Sequence, residues 1–166
     1  MTYQTKASVV PHSGNVLFAQ RFVSSKHPLS EALRTFFLGL RIKLLLLRGY
    51  GVVVVGHTGT GKTYLLEKAL PGRVVGPNWE VVLAGKRGAF DLAKMPEGMF
   101  AIDEPTFFEL SDLLRAYPAL RRRRVVFAVQ ALTHLALLKL DELFENRLVI
   151  VYLGSRDAFL KERALT

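Results

Sequence analysis

The stretch Val52-Val53-Val54-Val55-Gly56-His57-Thr58-Gly59-Thr60-Gly61-Lys62-Thr63 decides the fold. Four successive valines leave no polar side for solvent. They predict a strand buried on both faces, as in a parallel sheet. The next eight residues fit GxxxxGK[ST] at every fixed position, and residues 61–70 read as a helix stopped by Pro71-Gly72. A strand, a glycine-rich loop and a helix form the context in which this pattern cradles phosphate. Gly56, Gly59 and Gly61 are expected to take positive φ and bring backbone N–H groups to phosphate oxygens. The helix would point its positive N-terminus at the same anion. Lys62 would sit between β- and γ-phosphates. Thr63 would offer Mg²⁺ a hard oxygen. His57, Thr58 and Thr60 complete the loop, with His57 read as a spacer rather than a base.

A nucleotide site of this kind needs an acid for the metal. Met99-Phe100-Ala101-Ile102-Asp103-Glu104 offers one, an apolar strand ending in two carboxylates some 40 residues downstream of the loop. Asp103 would hold a Mg²⁺-bound water and Glu104 would polarise an attacking water, which points to hydrolysis. Val125-Val126-Phe127-Ala128-Val129-Gln130 is a third buried strand, ending in an amide that can bond a γ-phosphate and a water without adding charge. Arg121, Arg122, Arg123 and Arg124 precede it. A charge run is usually a solvated face. A guanidinium from a neighbouring subunit can also stabilise a transferring phosphoryl group, and four arginines suit DNA phosphates. Arg147 is a second candidate for that finger.

Strands are expected at 73–75, Glu80–Ala84 and Leu148–Leu153, and helices at Thr106–Tyr117 and Leu132–Glu145. Strands alternating with helices predict a three-layer α/β fold with a mainly parallel sheet and right-handed crossovers. Residues 1–28 read as an irregular arm with one short strand at Val16–Val23. Residues 29–48 read as a helix capped by Ser30 and ended by Gly49 and Gly51. Its Leu33, Phe36, Phe37, Leu40, Leu44 and Leu47 recur at helical spacing, which predicts a stripe packed on the sheet. The other reading lays this helix on an anionic membrane.

The 166 residues suit one domain of ordinary size, and half are hydrophobic, enough for a core. The absence of cysteine excludes disulfides, thiolate metal sites and cysteine nucleophiles. No apolar run reaches the roughly 18 residues of a membrane span. No signal peptide is expected, so the default location is cytoplasmic. The net charge is +9. Residues 1–50 hold seven basic residues and one acid, Glu31, a net +6. Such a balance favours a polyanionic partner, nucleic acid or an anionic membrane surface. No guanine-reading NKxD segment is present, and no lid with paired arginines suggests a nucleotide kinase. Trp79 and Tyr50 could stack on a base, although packing is the commoner role.

The three motifs, in this order and spacing, resemble the additional-strand ATPases of the FtsK/HerA superfamily. Ile102-Asp103-Glu104 matches the acid-ended strand, and Arg121–Arg124 followed by Val125–Gln130 matches the arginine before a strand ending in Gln. Asn146-Arg147-Leu148-Val149-Ile150-Val151-Tyr152-Leu153-Gly154 matches the last strand. Asp103-Glu104-Pro105-Thr106-Phe107-Phe108 resembles the Zot-type phage branch. Val82–Phe90 is a blurred echo of a segment in the TraG/TraD-like coupling proteins of conjugation. The resemblance covers roughly residues 50–154. The residues divide the chain into a basic arm and helix at 1–48 and a P-loop core at 49–166 that takes ATP and Mg²⁺ as cofactors, and the resemblance implies a RecA-like fold for that core. It further implies a homo-oligomeric ring, commonly a hexamer, that moves DNA through its centre. The Zot branch implies instead a membrane-associated assembly ATPase.

Overall fold

The computed structural model describes residues 16–19, 28–145 and 147–165. Six parallel strands form one sheet in the order β1 (Val16–Ala19), β6 (Leu148–Leu153), β2 (Gly51–Val55), β5 (Arg124–Val129), β4 (Met99–Asp103), β3 (Val74–Val75). The fold is the three-layer, RecA-like α/β fold that the sequence predicts, and every strand pairing is parallel. Strand β5 lies between β2, which leads into the glycine-rich loop, and the acid-ended strand β4. This is the additional-strand arrangement.

The period-2 geometry of a strand explains the valine run. Val53 and Val55 enter one core with Phe100, Ile102, Phe127 and Ile150. Val52 and Val54 enter the other with Ala101, Val126, Ala128 and Val151. The first face is covered by α4 (Leu110–Leu120), α5 (Thr133–Leu137), α6 (Leu140–Phe144) and α7 (Arg156–Arg163), through Leu113, Leu135, Leu143 and Phe159 among others. The second is covered by α1 (Pro28–Leu47) and α2 (Lys62–Ala69), through Ile42, Leu46, Leu65 and Leu66. Between β2 and α1, Gly51 opens the strand rather than ending the helix. A Cβ there would lie 2.0 Å from the Phe144 ring.

Several expectations are corrected. The Leu/Phe stripe of α1 does not pack on the sheet. Leu33, Phe36, Phe37, Leu40, Leu44 and Leu47 are all exposed, and Thr35, Gly39, Ile42 and Leu46 face inward. The cause is the approach of α1 to α2. A Cβ on Gly39 would lie 3.3 Å from the Cα and Cβ of Ala69, so only the small-residue side of α1 fits there. Ser30 is not the cap, because the helix begins at Pro28, whose fixed φ suits a first turn.

Residues 80–84 are not a strand. Helix α3 (Trp79–Leu83) forms instead, because Asn78 Oδ1 caps it by accepting from the Glu80 N–H at 2.9 Å. The helix expected at Thr106–Tyr117 becomes a 3₁₀ turn at Pro105–Phe107 followed by α4. Pro118 lies inside the last turn of α4, where its missing N–H costs one bond, to Leu114. The helix expected at Leu132–Glu145 is broken at Lys139, which takes φ 50°. Leu138 and Leu140 would point to nearly opposite sides of an unbroken helix, and the break lets both be buried. Helix α7 is unanticipated, although Ser155 caps it at Ala158 N, with Asp157 in the first turn and Lys161 and Arg163 in the last. Of the strand expected at Val16–Val23, β1 covers Val16–Ala19. The remainder, Asn146 and most of the arm at residues 1–28 lie outside the described residues.

Candidate nucleotide site

Three parallel strands end side by side at the C-terminal edge of the sheet. Gly56 N donates to Val129 O at 3.1 Å, and Glu104 N donates to Ala128 O at 3.0 Å. The register therefore places the loop after β2, Gln130 after β5 and the two acids after β4 along one edge. Open α/β sheets bind ligands at this edge.

Two of the three loop glycines take the expected conformation. Gly59 has φ 79° and Gly61 φ 86°. Gly56 does not have positive φ. Its reason is space, because a Cβ there would lie 2.5 Å from Thr60 Oγ1 and 3.0 Å from Leu153 Cβ. Thr60 folds the loop by donating to His57 O at 2.8 Å. Gly61 precedes α2 without a side-chain cap, so the first N–H groups of that helix are not taken by a capping side chain. His57, Thr58 and Gly59 are exposed at the loop tip.

Lys62 is 5% exposed. Its Nζ donates to Gly56 O at 2.7 Å and lies 3.2 Å from Glu104 Oε1. Thr63 Oγ1 donates to Asp103 Oδ2 at 2.5 Å, across 40 residues of sequence. Glu104 turns the chain out of β4 at φ 50°, ψ 55°, an uncommon conformation for a non-glycine residue. Asp103 Oδ1 and Glu104 Oε2 are buried without hydrogen-bond partners. Those two oxygens are the strongest sign of a ligand, since a buried carboxylate oxygen left unpaired is costly. Asp103 and Thr63 fit a divalent cation, being hard oxygen donors with one of the oxygens unpartnered.

His134 was not anticipated. It lies on α5, four residues past Gln130, and its Nδ1 is buried without a partner. Burial holds its imidazole below the ordinary value. Glu104 and Glu162 pull it up, and Lys62 pushes it down. Its isolation in the sequence gave no signal. The segment ahead of α5 is tied down by Glu162, whose carboxylate accepts from Leu132 N at 2.6 Å and Tyr152 Oη at 2.8 Å.

The lowered value has a consequence for stability. The unfolded chain binds a proton at His134 more readily than the folded chain. The stability from this group is complete above the unfolded imidazole value of about 6.5 and is lost as pH falls from there through the folded value. Urea midpoints should therefore drop as pH falls from about 7.5 to about 5, and His134→Gln should shrink the drop. An unchanged drop in the variant would assign the acid sensitivity to other groups.

The arginine run is not brought to this edge. Arg124 opens β5 opposite Met99, at the other end of the sheet from the loop. Arg121 donates to Glu142 O at 2.8 Å and pairs with Glu145 at 3.4 Å. Arg123 lies 6.0 Å over the Phe100 ring, with Nη1 buried and unpartnered. Arg122, Arg124 and Arg147 are exposed. None of the four arginines of the run is placed beside the glycine-rich loop of its own chain. Trp79 packs edge-on against Phe107, and Tyr50 is partly exposed beside the Arg147 end of the sheet. No helix among the described residues is long and apolar enough to cross a membrane. No protein-family model matches the chain, and a search of curated proteins returns no match.

Proposed function

We propose that the chain is a Mg²⁺-dependent ATPase whose turnover moves DNA, working as a homo-oligomeric ring. The observation that carries the ATPase reading is the meeting of Thr63 with Asp103 beside the Lys62–Glu104 pair, on a complete phosphate-binding loop. Thr63 and Asp103 would hold the cation, which supplies charge neutralisation for the phosphate oxygens when bound with nucleotide. The loop N–H groups and Lys62 take the phosphates. In doing so they draw Lys62 away from Glu104. The Glu104 carboxylate then accepts a proton from water as the water oxygen bonds to the γ-phosphorus. The bond to the β,γ-bridging oxygen breaks, leaving ADP and phosphate. Gln130, on the adjoining strand end, orients the water.

DNA as partner rests on the net +9 charge and on the resemblance to the FtsK/HerA superfamily. Completion in trans is supported by the position of the arginines, which can meet a phosphate site only on a neighbouring subunit. The exposed stripe of α1 favours a second setting for the same hydrolysis, assembly or extrusion at a membrane.

Steady-state ATP hydrolysis with and without single- and double-stranded DNA, at low and moderate salt, tests the motor. Stimulation that fades as salt rises is expected, because each phosphate contact releases counterions. Hydrolysis indifferent to DNA would remove the motor and leave the ATPase. Subunits carrying Arg122→Ala and Arg124→Ala, mixed with Lys62→Ala subunits, are expected to regain turnover that neither has alone. Failure of the mixture would take the finger role from both arginines.

A further inference from the structure

The exposed side of α1 carries a run of large apolar side chains that the rest of the described fold does not cover. Leu33, Phe36, Phe37, Leu40, Leu44 and Leu47 are each 44–63% exposed. At about 100° per residue they fill a sector roughly 100° wide. Arg34 and Arg41, seven residues apart, form a ridge along one border of that sector, and Arg48 extends it into the turn after the helix. Lys43 stands on the other border. Glu31 is the single acid of α1, and residues 1–30 hold none. Contiguous apolar patches of this size on a protein surface mark a binding face.

We propose that α1 docks the protein on an anionic lipid bilayer. The Leu/Phe stripe lies among the acyl chains at the headgroup boundary, and Arg34, Arg41, Lys43 and Arg48 meet lipid phosphates. Charge selects this occupant. Face-to-face pairing of α1 with a second copy sets cation against cation in either two-fold arrangement: antiparallel, the arginine ridge meets itself, and parallel, it meets Lys43. The chain preceding the helix has no acid to complement the ridge. Duplex DNA would satisfy the cations and leave the stripe in water. The proposal stands on α1 alone and does not depend on ATP hydrolysis.

The test uses the full chain without nucleotide or DNA, and vesicles of phosphatidylcholine alone or with phosphatidylglycerol added. Cosedimentation should be about tenfold or more stronger with the anionic vesicles and should weaken with salt. Phe36→Ser combined with Phe37→Ser should cut binding about tenfold or more while ATP-analogue binding persists, because both side chains are exposed. Arg34→Gln with Arg41→Gln should erase the preference for anionic lipid. The chain lacks cysteine, so Leu40→Cys carries a single environment-sensitive dye, expected to shift to the blue only with anionic vesicles. A dye shifted without vesicles overturns the proposal. If that shift depends on protein concentration, a second copy covers the stripe, and if not, the chain covers it itself. Equal binding by the Phe36→Ser, Phe37→Ser variant, or no vesicle binding by the unaltered chain, overturns it as well.

Discussion

Glu104→Gln is expected to leave ATP bound and to lower turnover by about 10²–10⁴-fold, the usual worth of a positioned general base. The amide preserves the shape of the side chain at an 8% exposed position, so the fold should survive. It can still accept a hydrogen bond from Lys62, but it competes for that cation more weakly than a carboxylate does. ATP affinity should therefore hold or rise while the chemical step stops. Fluorescent-nucleotide binding and single-turnover hydrolysis read the two effects separately. Unchanged single-turnover hydrolysis would remove Glu104 from its role. Loss of binding together with turnover would make it a structural residue of the loop. The left-handed backbone at Glu104 fits the first expectation, since strain of this kind concentrates where function needs a particular side-chain position.

The parts of the site that were legible in the sequence are those fixed by local chemistry. Gly59 and Gly61 lie in one short loop whose backbone demands are visible in residue type, and Lys62 and Thr63 open the helix that follows it. Asp103 and Glu104 end a four-residue apolar run, Met99–Ile102, that follows Gly98 and has the length of a buried strand. Val52–Val55 could be read as buried on both faces because a run without alternation has no wet side. His134 was not legible, because its relation to Glu104 and Lys62 is made by packing across the sheet edge.

Helix α1 was misread for a related reason. Periodicity counts apolar side chains, and α1 is apolar on most of its circumference. The inward side was chosen by fit, with Gly39 against Ala69, and not by hydrophobicity. The valines at 81 and 82 misled in the opposite way. Their β-propensity was real, and a single Asn78 cap outweighed it. The arginine run shows what spacing alone cannot settle. Its nearness to the Gln130 strand in sequence is a full strand length away from Gln130 in space.

Lys62→Ala is expected to have two separable effects. If Lys62 is the cation proposed to meet the phosphates, affinity for ATP should fall about 10- to 100-fold, the worth of a hydrogen bond between charged groups. In stability the substitution removes the partner of a buried carboxylate. The Glu104 carboxyl would be left with Oε1 unpaired beside an Oε2 that already has no partner. Breaking a buried pair from one side costs about 3 kcal/mol at the low end, so the urea midpoint without nucleotide should drop clearly. The double variant Lys62→Ala, Glu104→Gln should recover most of that loss, because no charge is then left stranded, and should recover none of the ATP affinity. A double-mutant cycle isolates the term. Additive losses would mean that water already screens the two groups from each other. Recovery of stability without recovery of binding would mean that the pair couples the empty fold to the bound nucleotide: Lys62 neutralises Glu104 until phosphate claims it, and Glu104 becomes available as a base only when there is a phosphate for water to attack.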